Sequence, residues 1–228
     1  MNKIINEFCV ACKEGNLEKV KTFLNNKQFN INKQNKHGQT GFHLACIYNQ
    51  LSIVKLLIED TRLDFNIKTK YGSTPFHSAC SCGHFTIIKF LMEDTRSDVN
   101  TRNKYGLTPF HSIFRTAYSK IVNLFIKNAQ IDINSQDNNG WTPFHYACWT
   151  TNRRIISLFL ESNRKIDLNI QSTKKFRGYP IGTITYDILE DQNINLNAVK
   201  KISKNKKLIF SAADGNLSEL KYLLQIKK

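Results

Sequence analysis

The chain has 228 residues, 41% of them hydrophobic, and a formal net charge of +15. This length and apolar content suffice to bury a core, which excludes general disorder, and no apolar run approaches the roughly 20 residues of a membrane helix. The N-terminus lacks an apolar signal core, so we expect an intracellular protein, cytoplasmic with the nucleus as the alternative.

The positive charge has two interpretations. The chain carries 33 Lys and Arg against 18 Asp and Glu, which indicates a nucleic-acid, acidic-protein or membrane-surface partner. Lys, Asn and Ile are all very frequent, however, and all three have A/T-rich codons. A biased genome would therefore raise the Lys content whatever the function.

A short motif recurs four times at a spacing of 34 residues. It contains Gly, Thr, Phe and His at constant positions and occupies residues 38–43, 72–77, 106–111 and 140–145. An Ile-rich segment follows each copy, and an Asp-x-Asn motif closes each unit. Such self-similarity predicts stacked repeats, because a unit this small cannot bury its own apolar face.

The third unit shows how one repeat is expected to fold. Thr74 is a good helix N-cap, and Pro75 suits the first helical position, where its missing N–H is not needed. The first helix is predicted to run to about residue 82, and Gly83 can adopt the positive φ that ends it. An apolar stripe predicts a second helix over about 85–94.

The pattern G-x-T-P-F-H-x-A, followed by an Ile-rich helix and an Asp-x-Asn close, resembles the ankyrin repeat. The resemblance implies an all-α, ankyrin-type α-solenoid of stacked helix-turn-helix repeats with β-hairpin loops, as a single domain over 1–228. The predicted repeats are 4–34, 35–68, 69–102, 103–136, 137–171, 179–205 and 206–228, with an insertion at about 172–179.

The His and Cys residues do not predict catalysis or metal binding. The repeat His residues, His43, His77, His111 and His145, lie on helices expected to stack 8–10 Å apart, too far to share zinc. The resemblance implies that they support the Thr cap and bond to neighbouring backbone. No nucleophile or phosphate-binding motif occurs, so we predict no enzymatic activity, no metal and no cofactor.

Two sets of residues are candidate contacts for a partner protein. The first is a basic and aromatic stripe along the hairpin tips, formed by Lys36, Lys70, Lys104, Tyr71 and Tyr105. Adjacent positions add further polar residues, namely Gln34, Lys68, Arg102 and Gln136. Tip residues are also commonly polar for solubility alone, so this alternative stays open.

The second set is aromatic and lies in the fifth repeat. Trp141 is at its hairpin, whereas Tyr146 and Trp149 are three apart on its first helix and share a face that we expect to lie toward the groove. Trp and Tyr are frequent binding hot spots. The alternative is that these aromatics cover the irregular sixth repeat.

These features predict a monomeric, non-enzymatic protein-protein interaction scaffold or adaptor. It would bind a partner protein with an acidic surface on the concave side formed by the hairpins and first helices, without a membrane. One alternative is a nucleic-acid binder that uses the C-terminal Lys/Arg clusters, which hold about half of the excess charge. Another is a structural segment of a larger protein. The clusters lie at 153–154, 164–165, 174–177, 200–201 and 204–207.

Overall fold

The computed structural model describes residues 2–150, 152–167, 170 and 172. This part contains ten α-helices: α1 (Asn2–Glu14), α2 (Leu17–Asn25), α3 (Gly41–Ile47), α4 (Leu51–Ile58), α5 (Pro75–Cys82), α6 (Phe85–Glu93), α7 (Pro109–Ser112), α8 (Ser119–Lys127), α9 (Pro143–Trp149) and α10 (Arg153–Leu160). They form five consecutive pairs, one for each of the first five predicted repeats. The predicted repeats at 179–205 and 206–228, and the insertion apart from residue 172, lie outside the described residues.

The helix pairs stack into two layers. The first helices of the pairs contact one another in chain order, from α1 to α9, and the second helices do the same from α2 to α10. This arrangement confirms the α-solenoid. The described residues include no strand. Each hairpin loop is instead a tight turn, such as the one closed by the Asn35 N–H donating to the Gln39 carbonyl at 2.8 Å.

Aromatic rings fill the core between the layers. The motif Phe residues are all buried: Phe42, Phe76, Phe110 and Phe144. The Phe110 ring stacks on Phe125 and Phe159, with centroids 5.0 Å and 5.7 Å apart. Phe therefore serves at positions where the ankyrin pattern usually has Leu, because rings from adjacent repeats pack against one another.

Gly41 stands where the later repeats have Pro at the first helical position. A Cβ at Gly41 would lie 2.5 Å from Phe8 Cε1 and 2.7 Å from Cys12 Sγ. The N-terminal repeat therefore packs its first helix so closely onto α3 that no side chain fits at this position. This close approach explains the departure from the motif.

The turn between the two helices of a repeat requires a positive φ. Gly83 adopts φ 73°, as its position after α5 predicts, and Asn49 and Ala117 occupy the equivalent position with φ 58° and 50°. Ala117 also follows the shortest first helix, since α7 ends at Ser112 and continues as a 3-10 turn over Ile113–Arg115. The fourth repeat is therefore the least regular of the five described repeats.

An Asn near the end of each of the first four repeats joins that repeat to the next. The Asn66 side chain donates to the Arg96 carbonyl at 2.9 Å and accepts from the Asp98 N–H at 3.0 Å. Asn32, Asn100 and Asn134 make the same pair of bonds in their own repeats. This Asn therefore links neighbouring repeats.

A second link uses arginine, and we call it the guanidinium clasp. Arg62, held by Asp60 at 2.6 Å, donates to four carbonyls at the end of the first repeat, including that of Leu24 at 3.0 Å. Arg96 and Arg164 make the corresponding bonds to the second and fourth repeats. The fourth repeat has Gln130 at this position, and no bond from its side chain to the third repeat is present among the described residues.

We expect the junction between the third and fourth repeats to be the weakest of the described array. Restoring the clasp with Asn128→Asp and Gln130→Arg should stabilise the protein by about 1 kcal/mol, because a cation then donates to carbonyls at the end of α6. Hydrogen exchange followed by mass spectrometry should show slower exchange around residues 103–118. The matched control, Arg96→Gln, should instead weaken the junction between the second and third repeats. Equal hydrogen exchange at this junction and at the junction between the third and fourth repeats of the wild type would contradict the prediction.

Candidate interaction surface

The tip of each hairpin is built around one polar side chain. Asn103 Oδ1 accepts from the N–H groups of Tyr105 and Leu107 at 2.9 Å and 3.1 Å. Asn35, Thr69 and Asp137 occupy the same position and make the same two bonds. All four tips therefore share one turn geometry, so equivalent residues on them project in equivalent ways.

Neighbouring tips are joined directly through their backbones. The Lys104 N–H donates to the Tyr71 carbonyl at 3.0 Å, and the Lys70 N–H donates to the His37 carbonyl at 3.3 Å. The Asn138 N–H continues the series by donating to the Tyr105 carbonyl at 3.0 Å. Because each tip is bonded to the next, the spacing of the side chains that they carry is set by the backbone.

The predicted tip residues lie at the surface. Tyr71 is 63% exposed and Tyr105 is 56% exposed, although large aromatic side chains are usually much more buried. Lys36, Lys70 and Lys104 are exposed beside them. We call these five residues the tip stripe. The first three tips contain no Asp or Glu over residues 34–38, 68–72 and 102–106, so the stripe has one sign of charge.

The basic residues next to the tip stripe have a structural role. Lys68 Nζ donates to the Arg102 carbonyl at 3.2 Å, and Arg102 Nη2 donates to the Gln136 carbonyl at 2.5 Å. Gln34 begins the series by donating to the Lys68 carbonyl at 2.8 Å. These side chains bridge successive repeats, so they hold the tips in register and are less available to a partner than the Lys residues of the tip stripe.

The prediction that Tyr146 faces the groove is wrong, and Trp141, a candidate contact at its hairpin, is also buried. Trp141 is 4% exposed and Tyr146 is 8% exposed. The Tyr146 hydroxyl donates to Asp137 Oδ2 at 2.8 Å, and the Trp141 ring packs edge-on against the Tyr146 ring at 5.4 Å. A buried carboxylate needs a hydrogen-bond donor, and Tyr146 supplies it where other repeats have Leu44, Ser78 and Ser112.

Trp149 differs from the other two aromatics of the fifth repeat. It packs against the core but keeps part of its surface exposed. It lies on the same helix as the buried Tyr146, near the C-terminal end of α9. The role of Trp149 as a contact residue stays a prediction. No pattern in the sequence indicated that Asp137 would bond to Tyr146 and hold it inside.

The four repeat His residues form Thr–His pairs. His77 Nδ1 accepts from the Thr74 N–H at 3.3 Å, and His77 Nε2 lies 2.9 Å from the Leu107 carbonyl of the next repeat. Because Nδ1 accepts from a backbone donor, the proton of the neutral ring is on Nε2 and donates to that carbonyl. His43 and His111 make the same contacts, as the resemblance implies.

Burial keeps these rings neutral. It lowers the pKa of His43, His77, His111 and His145 to about 4. His145 also accepts from the Thr142 N–H, but among the described residues its buried Nε2 meets no acceptor. The residue 30 positions further on, which supplies the acceptor in the other repeats, is Lys175, and it lies outside the described residues.

The four cysteines at the repeated helix position are buried thiols rather than reactive groups. Cys12, Cys46, Cys80 and Cys148 are free and buried, and burial raises the pKa of each thiol well above its usual range. Within the described ranges, no three His, Cys, Asp or Glu side chains are placed to hold a metal ion. No helix within those ranges is long and apolar enough to cross a membrane.

Comparison with known proteins agrees with the repeat geometry. The family model described as ankyrin repeats (3 copies) matches the chain over residues 8–103 and 95–172, which is more than half of its length. Among curated proteins, none matches the chain. The stacked helix pairs, the Thr–His pairs and the family match together show that the chain belongs to the ankyrin-repeat family.

Proposed function

We propose that the protein is a non-enzymatic interaction scaffold, acting inside the cell, that binds a partner protein through the tip stripe. Ankyrin repeats generally mediate protein-protein interactions and are typically not enzymes. The observation that carries the proposal is the exposure of Tyr71 and Tyr105 on adjacent tips, each beside an exposed Lys.

The rigidity of the tips supports this function. The turns are closed by side-chain bonds, and the backbone bonds between tips hold Lys70 and Lys104 at a constant spacing. A surface that is already ordered loses less conformational entropy on binding than a mobile loop does. The tip stripe therefore presents its side chains at a small entropic cost.

The chemistry of the tip stripe favours an acidic partner with some apolar surface. Tyr71 and Tyr105 offer large contact areas with few rotatable bonds, which is typical of binding hot spots. Lys36, Lys70 and Lys104 carry one sign of charge and would speed the encounter with a negative surface. An acidic partner protein therefore complements both kinds of side chain.

Affinity capture from the native cell tests the proposal. The tip variant Tyr71→Ser with Tyr105→Ser should lose at least about 90% of the partner protein that the wild type retains, because hot-spot aromatics each contribute about 2 kcal/mol. Its helix content should stay unchanged, since both rings are exposed. The matched control removes three exposed Lys from second helices, at Lys19, Lys89 and Lys127, and should capture normally.

Two outcomes would overturn the proposal. In the first, the tip variant captures the same proteins as the wild type. In the second, DNA or RNA binds with submicromolar affinity at physiological salt, with affinity that falls steeply as salt rises. That result would favour the nucleic-acid alternative, whose C-terminal clusters lie mostly outside the described residues.

A further inference from the structure

We propose that the tip stripe binds an extended acidic segment of the partner that carries one carboxylate every third residue. This inference rests on the proposed function and specifies the chemistry of the partner. The segment would place its carboxylates near Lys36, Lys70 and Lys104, and its apolar side chains against Tyr71 and Tyr105.

Three of the tips are equivalent. The sequences Lys-His-Gly, Lys-Tyr-Gly and Lys-Tyr-Gly occupy the same turn at 36–38, 70–72 and 104–106. Each turn is closed by the same pair of side-chain bonds, from Asn35, Thr69 and Asn103. A surface made of equivalent subsites is complementary to a ligand that repeats with the same period.

The series of tips that carry Lys ends at the fourth repeat. The next tip has Asn138 and Asn139 in place of Lys and Tyr. The Asn138 side chain donates back to the Lys104 carbonyl at 2.8 Å, so it closes the array and does not extend it. Asn139 is only half-exposed. The stripe therefore contains three subsites.

The spacing of the tips matches the rise of an extended segment. Stacked helices lie about 8–10 Å apart, and a chain in the extended polyproline II conformation rises about 3.1 Å per residue with about three residues per turn. Three residues of such a segment thus span about one repeat, and about seven to nine residues span all three tips. Because residues three apart lie on the same side of this segment, it would present a carboxylate to each tip.

An extended segment also fits the tips better than a helix does. A helix binds by laying an apolar face into a hydrophobic groove. The first three tips expose two Tyr rings among Lys side chains, and those rings lie on separate turns. An extended chain can alternate between the two kinds of contact, because charge complementarity at each Lys does not require a continuous apolar groove.

Peptide binding to the full chain tests the inference, with fluorescence anisotropy as the readout. The probe is a nine-residue peptide in which Glu-Leu-Ser is repeated three times. The control peptide has the same composition, with three Glu, then three Leu, then three Ser. Charges more than about 10 Å apart are largely screened at physiological salt, so we expect the clustered control to bind at least about threefold more weakly.

A protein variant gives a second, independent readout. Asn138→Lys with Asn139→Tyr adds a fourth subsite, and it should raise the affinity for a twelve-residue peptide of the same repeat but not for the nine-residue peptide. The tip variant should lose affinity for both peptides. Peptide binding without any preference for distributed carboxylates, or without any gain in the four-subsite variant, would overturn the inference.

The two proposals fail in distinguishable ways. If the peptides bind equally or not at all while native capture still depends on Tyr71 and Tyr105, the extended acidic segment is wrong and the scaffold function stands. If a Glu-rich helical peptide binds more tightly than the extended one, the inference is likewise overturned. If partner capture from the native cell does not depend on Tyr71 and Tyr105, the proposed scaffold function is itself wrong.

Discussion

Acidification from pH 6.5 toward pH 4 should unfold this protein cooperatively. Burial lowers the pKa of four His residues to about 4 from an ordinary value of 6.5. The unfolded chain therefore binds protons that the folded protein rejects throughout this range. The stabilisation is fully present above pH 6.5 and is lost as the pH falls toward 4.

The magnitude of this effect is large. A depression of this size corresponds to about 3 kcal/mol for each ring. Three such rings, His43, His77 and His111, also bond across to the next repeat. Protonation of Nδ1 would place a second N–H donor opposite the backbone N–H of the Thr cap, and the hydrogen bond between them would be lost. Since whole domains are stable by roughly 5–15 kcal/mol, the loss should exceed what the fold tolerates.

Urea unfolding at several pH values measures this prediction. The free energy of unfolding should fall with a slope that corresponds to the uptake of several protons. His77→Gln should destabilise the protein at pH 7 and should reduce the slope by about one proton. His37→Gln is the matched control, because His37 lies exposed at a tip. A free energy of unfolding that stays constant down to pH 4 would contradict the prediction.

Gly72→Ala should destabilise the protein by about 3 kcal/mol, through a left-handed backbone and a backbone clash. Gly72 has φ 77°, and a Cβ there would lie 2.8 Å from the Lys104 backbone nitrogen. That nitrogen donates to the Tyr71 carbonyl. The substitution therefore forces apart two tips that carry the proposed binding residues, and partner capture should fall together with stability.

Gly83→Ala provides the matched comparison. Gly83 has nearly the same φ, 73°, but its Cβ would meet the side chains of Thr116 and Tyr118, which can move. Asn49 and Ala117 already occupy this turn position with positive φ. We expect Gly83→Ala to lower the free energy of unfolding by only about 1 kcal/mol and to leave capture of the partner protein unchanged. Thermal unfolding of both variants measures the difference in stability. Equal losses of stability would show that the backbone clash does not contribute to the effect of Gly72→Ala.

Several features of the fold follow from local residue patterns. The 34-residue period predicts the stacked pairs, and Thr74, Pro75 and Gly83 predict where α5 begins and ends. These features depend on a few neighbouring residues and on the burial of an apolar face, so they can be inferred without knowledge of distant contacts. The exposure of Tyr71 and Tyr105 follows for the same reason, because both lie at the tip of a turn.

The tertiary structure alone decided which aromatic residues are available. Trp141 and Tyr146 resemble hot spots in the sequence, but a hydrogen bond to Asp137, nine residues away, holds Tyr146 inside. The guanidinium clasps and the links made by Asn66 and its equivalents also join residues about 30 positions apart. The sequence by itself therefore determined the repeat, its helix ends and the exposed tips. A contact within the fifth repeat decided the burial of Tyr146, and contacts between repeats decided their register, because these partners come together only after the chain has folded.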